Sequence, residues 1–407
     1  MSNWSRTTGS LGRWCARGKG AGFAAGIALV LASGPTSAIA ATAQPERALT
    51  PAAVQMAAAN KVLPTPNPAG STASLLNAVS CPSAASCTAV GEYFTGGGAE
   101  LTLAEHWNGS AWAIQSTPNP AGASLSLLRG VSCTSARACV AVGTEVTSGG
   151  RILPLAERWN GSSWSLIPPA PGGPLAAVSC SSASACTAVG GLGSPLAERW
   201  NGSTWAIQPI ATLSGATATA LNGVSCPSAT SCLAVGHWVN GGHTLALAER
   251  WNGTSWFFEL PPNRSSSFND LSAVTCTTLT ACVAVGTFAD PITGQSKTLG
   301  EFSSGTASWI LTSTPSPGQT HSFLDSVSCA TATSCTAIGD FDDIRGIEDT
   351  LGAFGTGTSW FFGATPTIPF ENTFGRGVSC PTTTECILVG FDKNSAGTTV
   401  TFAGQTS

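Results

Sequence analysis

The sequence contains few charged residues. Only 9% of its 407 residues are Asp, Glu, Lys or Arg, with 21 acidic and 17 basic side chains. The basic residues form no cluster after the N-terminal segment, which argues against a nucleic acid as a partner. Small and uncharged polar residues must therefore cover much of the surface.

Long apolar runs and helical patterns are also scarce. The apolar stretch Ala21–Ala32 is about a dozen residues long, too short for a comfortable transmembrane helix. No segment of the repeats shows sustained helical periodicity, and no P-loop, Rossmann fingerprint, H-E-x-x-H helix or G-x-S-x-G elbow is present. The sequence thus gives no motif-based support to nucleotide-binding, zinc-protease or α/β-hydrolase functions.

Residues 1–40 have the features of a secretory signal. A basic start that includes Arg6 and Lys19 precedes the apolar stretch, and Ala38-Ile39-Ala40 offers a cleavage site. Cleavage after Ala40 leaves a linker at 41–59 and a chain with a net charge of −8. We expect a protein that is secreted or displayed at the cell surface, without stable membrane insertion once the signal is removed. An uncleaved N-terminal anchor is the alternative.

Cysteines recur in a fixed pattern. Fourteen of the 15 form seven Cys-x5-Cys pairs, and successive first cysteines lie 46 to 53 residues apart. A fixed period near 50 indicates a repeat architecture. The pairs are Cys81/Cys87, Cys133/Cys139, Cys180/Cys186, Cys226/Cys232, Cys276/Cys282, Cys329/Cys335 and Cys380/Cys386.

Each pair is predicted to form a disulfide. An even set of cysteines in an exported protein is typical of a disulfide framework, and cysteines at the root of a five-residue hairpin loop lie near the required Cα separation of roughly 4.4 to 6.8 Å. The alternative is a metal site. Zinc needs four ligands, whereas each pair supplies two, with no histidine at regular spacing.

One repeat consists of four short strands. In the second copy, apolar segments flank the cysteine pair, and Leu155–Trp159 is followed by Asn160-Gly161 and Trp164. Asn-Gly between strands predicts a tight type I′ turn. The Asn-Gly turns also match N-glycosylation spacing, although turn chemistry alone explains them.

A closed ring best buries such units. A four-stranded sheet of about 50 residues cannot bury both faces alone, and the usual closed solution is a β-propeller. The last repeat ends without a fourth strand, whereas the segment Lys61–Gly70 matches the fourth-strand segment Ile114–Gly122. We therefore predict an all-β fold over residues 60–407, a seven-bladed propeller closed by an N-terminal strand in the last blade. The closure removes an open sheet edge.

The pattern resembles the kelch and galactose-oxidase-like propellers. The resemblance lies in an apolar strand ending in glycine (Ala141-Val142-Gly143), a variable loop, and a Trp that opens the fourth strand (Trp164). The kelch double glycine appears only once, at Gly190-Gly191, and the hairpin cysteines are not part of the kelch pattern. The chain looks like an exported bacterial variant of that class.

The resemblance implies fold more than activity. Galactose oxidases hold copper with two Tyr and two His, one Tyr being cross-linked to Cys, whereas this chain has a single tyrosine, Tyr93, and its repeat cysteines are all paired. A sialidase needs a Tyr nucleophile and an arginine cluster, and no such set surrounds Tyr93 in the sequence. Both chemistries are therefore disfavoured.

Recurring residues are assigned to the scaffold. A catalytic acid is needed once, but Glu105, Glu157, Glu198 and Glu249 recur in Leu-Ala-Glu, so we expect them to make ion pairs or hydrogen bonds between blades. The loops between second and third strands vary and emerge on one face, which we call the variable face. The cysteine hairpins and Asn-Gly turns are uniform and emerge on the other, the hairpin face. The variable face is the expected binding face.

Two variable loops contain the candidate site residues. Asp340, Asp342 and Asp343 offer oxygen ligands for a metal such as Ca²⁺, although the spacing is not that of an EF-hand and a solvated acidic loop is the alternative. A ligand site is predicted from His237, Trp238 and His243, with Tyr93 in a third variable loop.

The residues favour a monomeric, non-catalytic binding protein. No single-copy catalytic constellation is apparent, and we expect no cofactor beyond the Ca²⁺ just considered. An extracellular glycan or protein is the expected partner. The alternatives are a hydrolase or lyase of extracellular polysaccharide, using acids such as Asp342 or Asp343, and a purely structural surface protein.

Overall fold

The computed structural model describes residues 60–406, except for positions 212, 306, 307 and 370. The expected signal peptide, the cleavage after Ala40 and the linker 41–59 lie outside the described residues. Within them, no helix is long and apolar enough to cross a membrane.

The described residues form 28 strands. The first is β1 (Lys61–Leu63), and the next three groups of four are β2 (Ser71–Ser83), β3 (Ser86–Thr95), β4 (Glu100–Trp107) and β5 (Trp112–Gln115), then β6 (Ala123–Ser135), β7 (Ala138–Thr147), β8 (Ile152–Trp159) and β9 (Trp164–Leu166), then β10 (Leu175–Ser182), β11 (Ala185–Gly191), β12 (Pro195–Trp200) and β13 (Trp205–Gln208). The following groups are β14 (Ala218–Ser228), β15 (Ser231–Asn240), β16 (His243–Trp251) and β17 (Trp256–Glu259), then β18 (Asn269–Thr278), β19 (Ala281–Ala289), β20 (Ser296–Ser303) and β21 (Trp309–Thr312). The last groups are β22 (Ser326–Thr331), β23 (Ser334–Asp342), β24 (Glu348–Gly355) and β25 (Trp360–Gly363), then β26 (Asn372–Ser379), β27 (Cys386–Lys393) and β28 (Thr399–Thr406).

Seven antiparallel four-stranded sheets form the blades of a β-propeller. Six blades use consecutive strands, from β2–β5 to β22–β25, and the seventh combines β26, β27 and β28 with β1. The first strands of the blades contact one another in a closed circle and are the inner strands around the channel, so that the fourth strands lie outermost. This confirms the predicted fold and blade number.

The N-terminal strand completes the last blade as predicted. Lys61 pairs with Gln405 and Leu63 with Ala403. After the strand, the Asn67 side-chain oxygen accepts a hydrogen bond from the Thr401 N–H at 3.1 Å. In the first blade Asn119 accepts from Thr102 at the same distance, so β1 and the segment after it reproduce a normal fourth strand and loop.

All seven predicted disulfides are formed. Each joins the two cysteines of one repeat with a Cα–Cα separation of 3.9 to 4.0 Å, slightly below the range that we expected. Cys180 and Cys186 are direct partners in register, and non-hydrogen-bonded antiparallel pairs have Cα atoms only about 4.5 Å apart. Seven intramolecular disulfides indicate that the protein matures in an oxidising compartment.

The two cysteines of a pair lie opposite each other at the root of the hairpin loop, as predicted, but they differ in burial, which the sequence did not indicate. The second cysteine is a core residue in every blade, because it lies on a second strand with a paired strand on either side. Cys87, for example, is opposite Trp107 in register and packs into the core shared by blades seven and one. These seven sulfurs are therefore inner scaffold atoms and offer no accessible site. The second cysteines and their exposed fractions are Cys87 (0%), Cys139 (2%), Cys186 (1%), Cys232 (1%), Cys282 (1%), Cys335 (4%) and Cys386 (7%).

Hydrogen bonds between neighbouring blades explain the serine that precedes most first cysteines. The N–H of six first cysteines, all except Cys329, donates to the hydroxyl of the corresponding serine in the preceding blade at 2.9 to 3.0 Å. Six of the seven blade interfaces have this bond within the described residues. The serine acceptors are Ser80, Ser132, Ser179, Ser225, Ser328 and Ser379, and the fifth blade has Thr275 in this position.

A glycine within each second strand is required by a close backbone approach; the sequence predicted that it ends the strand, but Gly143 lies inside β7, which continues to Thr147. A Cβ atom on Gly143 would lie 2.0 Å from the carbonyl oxygen of Leu127 on the inner strand. The inner strand has a bulge there, between Leu128 and Gly130, which brings its backbone toward the second strand. In the seventh blade, a Cβ atom on Gly390 would likewise lie 1.9 Å from the carbonyl oxygen of Phe374.

The Asn-Gly turns differ by one residue from the prediction. Asn160 and Ser163 form the last hydrogen-bonded pair, so the central turn residues are Gly161 and Ser162. Gly161 has φ +97°, and a glycine at the first central position is typical of type II′ turns. The Asn160 side-chain oxygen accepts bonds from both following serine N–H groups, which holds Asn160 outside the turn centre.

Candidate functional site

The inner strands have one position that differs from blade to blade. This position follows the buried leucine of most inner strands. In six of the blades it lies at a β-bulge, so that its residue has no register partner on the second strand. A bulge re-aims its side chain, and these residues are half-buried along the channel. We call them the channel ring: Asn77, Arg129, Ala176, Asn222, Ser272, Asp325 and Arg376.

Blades one and two place charged groups beside the channel ring. Asn77 donates hydrogen bonds to the Glu92 carboxylate and, at 2.9 Å, to the Leu128 carbonyl of the next blade. Burial, with a smaller contribution from the Glu100 charge, raises the pKa of Glu92 to about 7, although Arg129 opposes the shift. Burial likewise raises the pKa of Glu100 to about 7. Both carboxyls are therefore poised to gain or lose a proton near neutral pH.

A histidine–aspartate pair joins blades four and five. Asn222 donates to the Asp270 carboxylate at 2.8 Å, and His237 Nδ1 lies 2.9 Å from the same oxygen. Burial opposes protonation of His237, but the hydrogen bond and charge of Asp270 outweigh it, so the pKa of His237 is raised. The pair places an imidazole ring beside a carboxylate at the channel.

Arg376 links blades six and seven. Its guanidinium donates to Asp325 at 2.7 Å and lies 3.7 Å from Asp340. It also lies over the Phe391 ring at 5.3 Å from the centroid, and Phe391 stacks on Phe374. This arginine is therefore held between two carboxylates and an aromatic face.

The three aspartates predicted to bind a metal have separate surroundings. The Asp342 carboxylate accepts bonds from the N–H groups of Thr320 and His321. Asp343 accepts from Arg345 within its own turn, whereas Asp340 is 3% exposed and lies toward Arg376. Within the described residues these three do not form one ligand group.

A different group on blade six does bring metal-ligating atoms together. Ligand atoms of His321, Asp340 and Glu348 lie within 4.8 Å of one another. Of these three residues, the sequence-based prediction named Asp340 and missed His321. The signal for His321 was its place in a loop between a fourth and a first strand, which also emerges at the variable face.

The four residues predicted to bind a ligand are not brought together as a group. Tyr93 packs on the apolar core shared by blades seven and one. Successive strand residues point to opposite faces, so His237 reaches Asp270 whereas Trp238 packs on the core of blades three and four. His243 is exposed at the start of β16. Of these four residues, His237 is linked to the channel ring, because the Asp270 oxygen that it contacts also accepts a hydrogen bond from Asn222.

The channel ring itself was missed at the sequence level. Its signal was a variable residue, such as Arg129, inside an otherwise uniform Leu-x-Gly/Ala-Val segment. A search for variation in the loops alone does not reach Arg129, Asn222 or Arg376, because all three lie within strands.

The recurring glutamates are fully buried scaffold residues. Glu105 and Glu157 are 0% exposed and Glu249 is 1% exposed, and burial raises the pKa of each to about 8. They do not pair with the arginine that follows them; Arg250, for example, binds Glu259 at 2.7 Å. The expected ion pairs are therefore absent from these described positions, and the carboxylate oxygens of Glu105, Glu157 and Glu249 are buried there without a hydrogen-bond partner.

Comparisons with known proteins show the fold. No protein-family model matches the chain, and no curated protein matches it. The solved structure "YCF48 bound to D1 peptide" has a TM-score of 0.54 at 13% identity and covers 88% of this chain and 100% of that chain. The chain has a β-propeller fold. A structure of Chaetomium thermophilum Sqt1, bound to the N-terminus of the ribosomal protein L10, has a TM-score of 0.46 at 9% identity and covers 82% of this chain and 88% of its own chain.

Proposed function

We propose that this propeller is an exported, non-catalytic protein that binds a peptide segment of a protein partner at the variable-face mouth of its channel. One observation carries the proposal. Charged and polar side chains that differ between blades converge on the channel ring, with Arg129, Asp270 and Arg376 among them, whereas the recurring cysteines, serines, glycines and glutamates belong to the scaffold.

Export is supported by two features. The N-terminal segment has the pattern of a secretory signal, and seven disulfides suit an oxidising extracellular setting. We also propose that the repeats are of the bacterial kelch-like kind, on the basis of the glycine that follows the apolar residues of the second strand and the Trp that opens the fourth strand. The protein acts as a monomer in this proposal.

A peptide fits the mouth better than a glycan. Glycan sites commonly use exposed aromatic faces, but Trp238 is half-buried and packs against the core, and Arg376 lies over the Phe391 ring. The paired charges at Glu92, Asp270 and Arg376 instead suit charged side chains of a peptide. YCF48, which has a similar fold, was solved with a peptide bound.

A polysaccharide hydrolase has less support. Such an enzyme needs two accessible carboxyls about 5 to 9.5 Å apart. Asp392 has the raised pKa of an acid catalyst, about 7, because of burial and the neighbouring Glu371. However, Asp392 is 0% exposed and accepts a hydrogen bond from Thr373 at 3.0 Å, so a sugar could not reach it without opening the blade.

Binding arrays test the proposal. The purified, oxidised protein is labelled and applied to a random-sequence peptide array and to a glycan array. We expect selected peptides to bind, and Arg129→Ala and Arg376→Ala each to weaken that binding about tenfold or more, as interface hot spots do.

The matched control is Arg137→Ala, since Arg137 is exposed on a cysteine hairpin at the opposite face. Circular dichroism melts show that each variant is folded. Binding to glycans alone, or peptide binding that survives both channel substitutions, would contradict the proposal.

A further inference from the structure

Three side chains of blade six meet at the variable face, next to the channel ring. His321 lies in the loop before β22, Asp340 is in β23, and Glu348 is the first residue of β24. Their ligand atoms lie within 4.8 Å of one another, and His321 Nε2 is 2.9 Å from a Glu348 oxygen. Ligand atoms around a tetrahedral metal ion lie about 3.5 Å apart, so small side-chain shifts would suffice.

Groups outside this trio hold the histidine in place. Asp342 accepts hydrogen bonds from the backbone N–H of His321 and from Thr320, both at 2.9 Å. The second ring nitrogen of His321, Nδ1, lies 3.1 Å from the Thr320 hydroxyl, and Nε2 is thereby directed to Glu348. Such outer partners, which fix the ring of a ligating histidine through its other nitrogen, are a regular feature of metal sites.

The backbone of Glu348 is also fixed from outside. Its N–H donates to the Asn372 side chain of the seventh blade at 3.0 Å. Asp340 is 3% exposed, and the nearby Arg376 is already bound to Asp325 at 2.7 Å. Arg376 therefore keeps a carboxylate partner when Asp340 turns toward a cation.

We propose that His321, Asp340 and Glu348 bind a divalent transition-metal ion of the Zn²⁺ class. Imidazole is a preferred ligand of Zn²⁺, Ni²⁺ and Cu²⁺, whereas Ca²⁺ takes oxygen ligands only. Zn²⁺ accepts both histidine nitrogens and Asp or Glu oxygens, and three protein ligands leave the fourth tetrahedral position for water. The inference stands apart from the peptide-binding proposal, because it uses a different side-chain group and needs no peptide.

Metal titration tests the site. The purified protein is treated with EDTA, dialysed, and titrated at neutral pH with ZnCl2 in a calorimeter, and in parallel with CaCl2. We expect one saturable Zn²⁺ site and a raised melting temperature with Zn²⁺ but not with Ca²⁺. His321→Ala and Glu348→Gln should each weaken Zn²⁺ binding about tenfold or more, since even outer-shell partners contribute about 10- to 100-fold.

His106→Gln is the matched control. His106 is one of only four histidines and lies on β4, outside the trio. We expect it to leave Zn²⁺ binding unchanged, and melts in EDTA establish that all variants fold. The proposal is overturned if the protein shows no saturable Zn²⁺ site, if both trio variants bind Zn²⁺ as the unaltered protein does, or if Ca²⁺ binds as tightly as Zn²⁺.

Discussion

The Ser379 hydroxyl oxygen accepts a hydrogen bond from the backbone N–H of Cys81 at 3.0 Å, across 298 residues of sequence. The same bond joins Ser80 to Cys133 and recurs at most other blade interfaces. The bond at Ser379 differs because it joins the last blade to the first. The ring is thus closed on the hairpin face by this bond and at the outer edge of blade seven by β1.

Removal of the Ser379 hydroxyl should weaken ring closure. We expect Ser379→Ala to lower the free energy of unfolding by about 1 kcal/mol, because a buried N–H loses its partner. The control is Thr275→Ala in the fifth blade, where the described residues show no such bond to the next cysteine. Urea melts of the oxidised protein measure both, and an equal loss in the two variants would show that the bond adds nothing.

The N-terminal strand should contribute as much to the free energy of unfolding as an inner element does. Leu63 is 2% exposed in the core shared by blades seven and one, whereas Val62 beside it is 39% exposed. We expect Leu63→Ala to cost about 2 to 5 kcal/mol, and Val62→Ala less than about 0.5 kcal/mol.

Deletion provides a second measure of the N-terminal closure. Removal of residues 41–70 should lower the melting temperature sharply, and removal of 41–58, which spares β1, should leave it unchanged. Equal melting temperatures for the first deletion and the unaltered protein would contradict closure by β1.

The architecture could be predicted because the same residue pattern occurs seven times in the sequence. Seven cysteine pairs fixed the number of blades, and the missing last strand was found from the shared Pro-Asn-Pro-Ala-Gly segment, whose asparagines Asn67 and Asn119 make the same hydrogen bond. A repeat aligns equivalent residues, so local patterns can be checked against one another.

The candidate site could not be predicted in the same way. Arg376 meets Asp325 only because blades six and seven are neighbours, and the two residues are 51 positions apart in sequence. His321 and Glu348 lie 27 positions apart and meet only when the loop before β22 folds over β24. Contacts of this kind depend on loop geometry and on bulges, which single-copy residues do not reveal by periodicity.

Buried glutamates should make the protein less stable at alkaline pH. The pKa of Glu249 is about 8 in the folded chain, because burial disfavours its charged form. A carboxyl whose folded pKa is raised contributes stability that is full below its unfolded pKa, about 4.5, and that is lost as the pH rises through 8. Glu105, Glu157 and Glu301 have the same shift and add to the effect.

The pH dependence is measured by denaturant melts between pH 5 and 9. We expect stability to fall steadily as the pH rises, and Glu249→Gln to make the slope shallower, because the amide stays neutral. Arg137→Ala, on the exposed hairpin, should leave the slope unchanged. A slope that is the same in Glu249→Gln and the unaltered protein would show that Glu249 is ionised in the folded state.

The glycine inside each second strand allows a direct test of the inner bulge. In Gly143→Ala the new Cβ would lie 2.0 Å from the Leu127 oxygen, so the inner strand must move away from β7. We expect a loss of about 3 kcal/mol, at the upper end of typical overpacking costs. Gly149→Ala is the control, because Gly149 lies in the exposed loop after β7 with the nearest atom at 3.8 Å. Since the same bulge carries Arg129, Gly143→Ala should also reduce peptide binding at the channel mouth, and unchanged stability would show that the bulge adapts without cost.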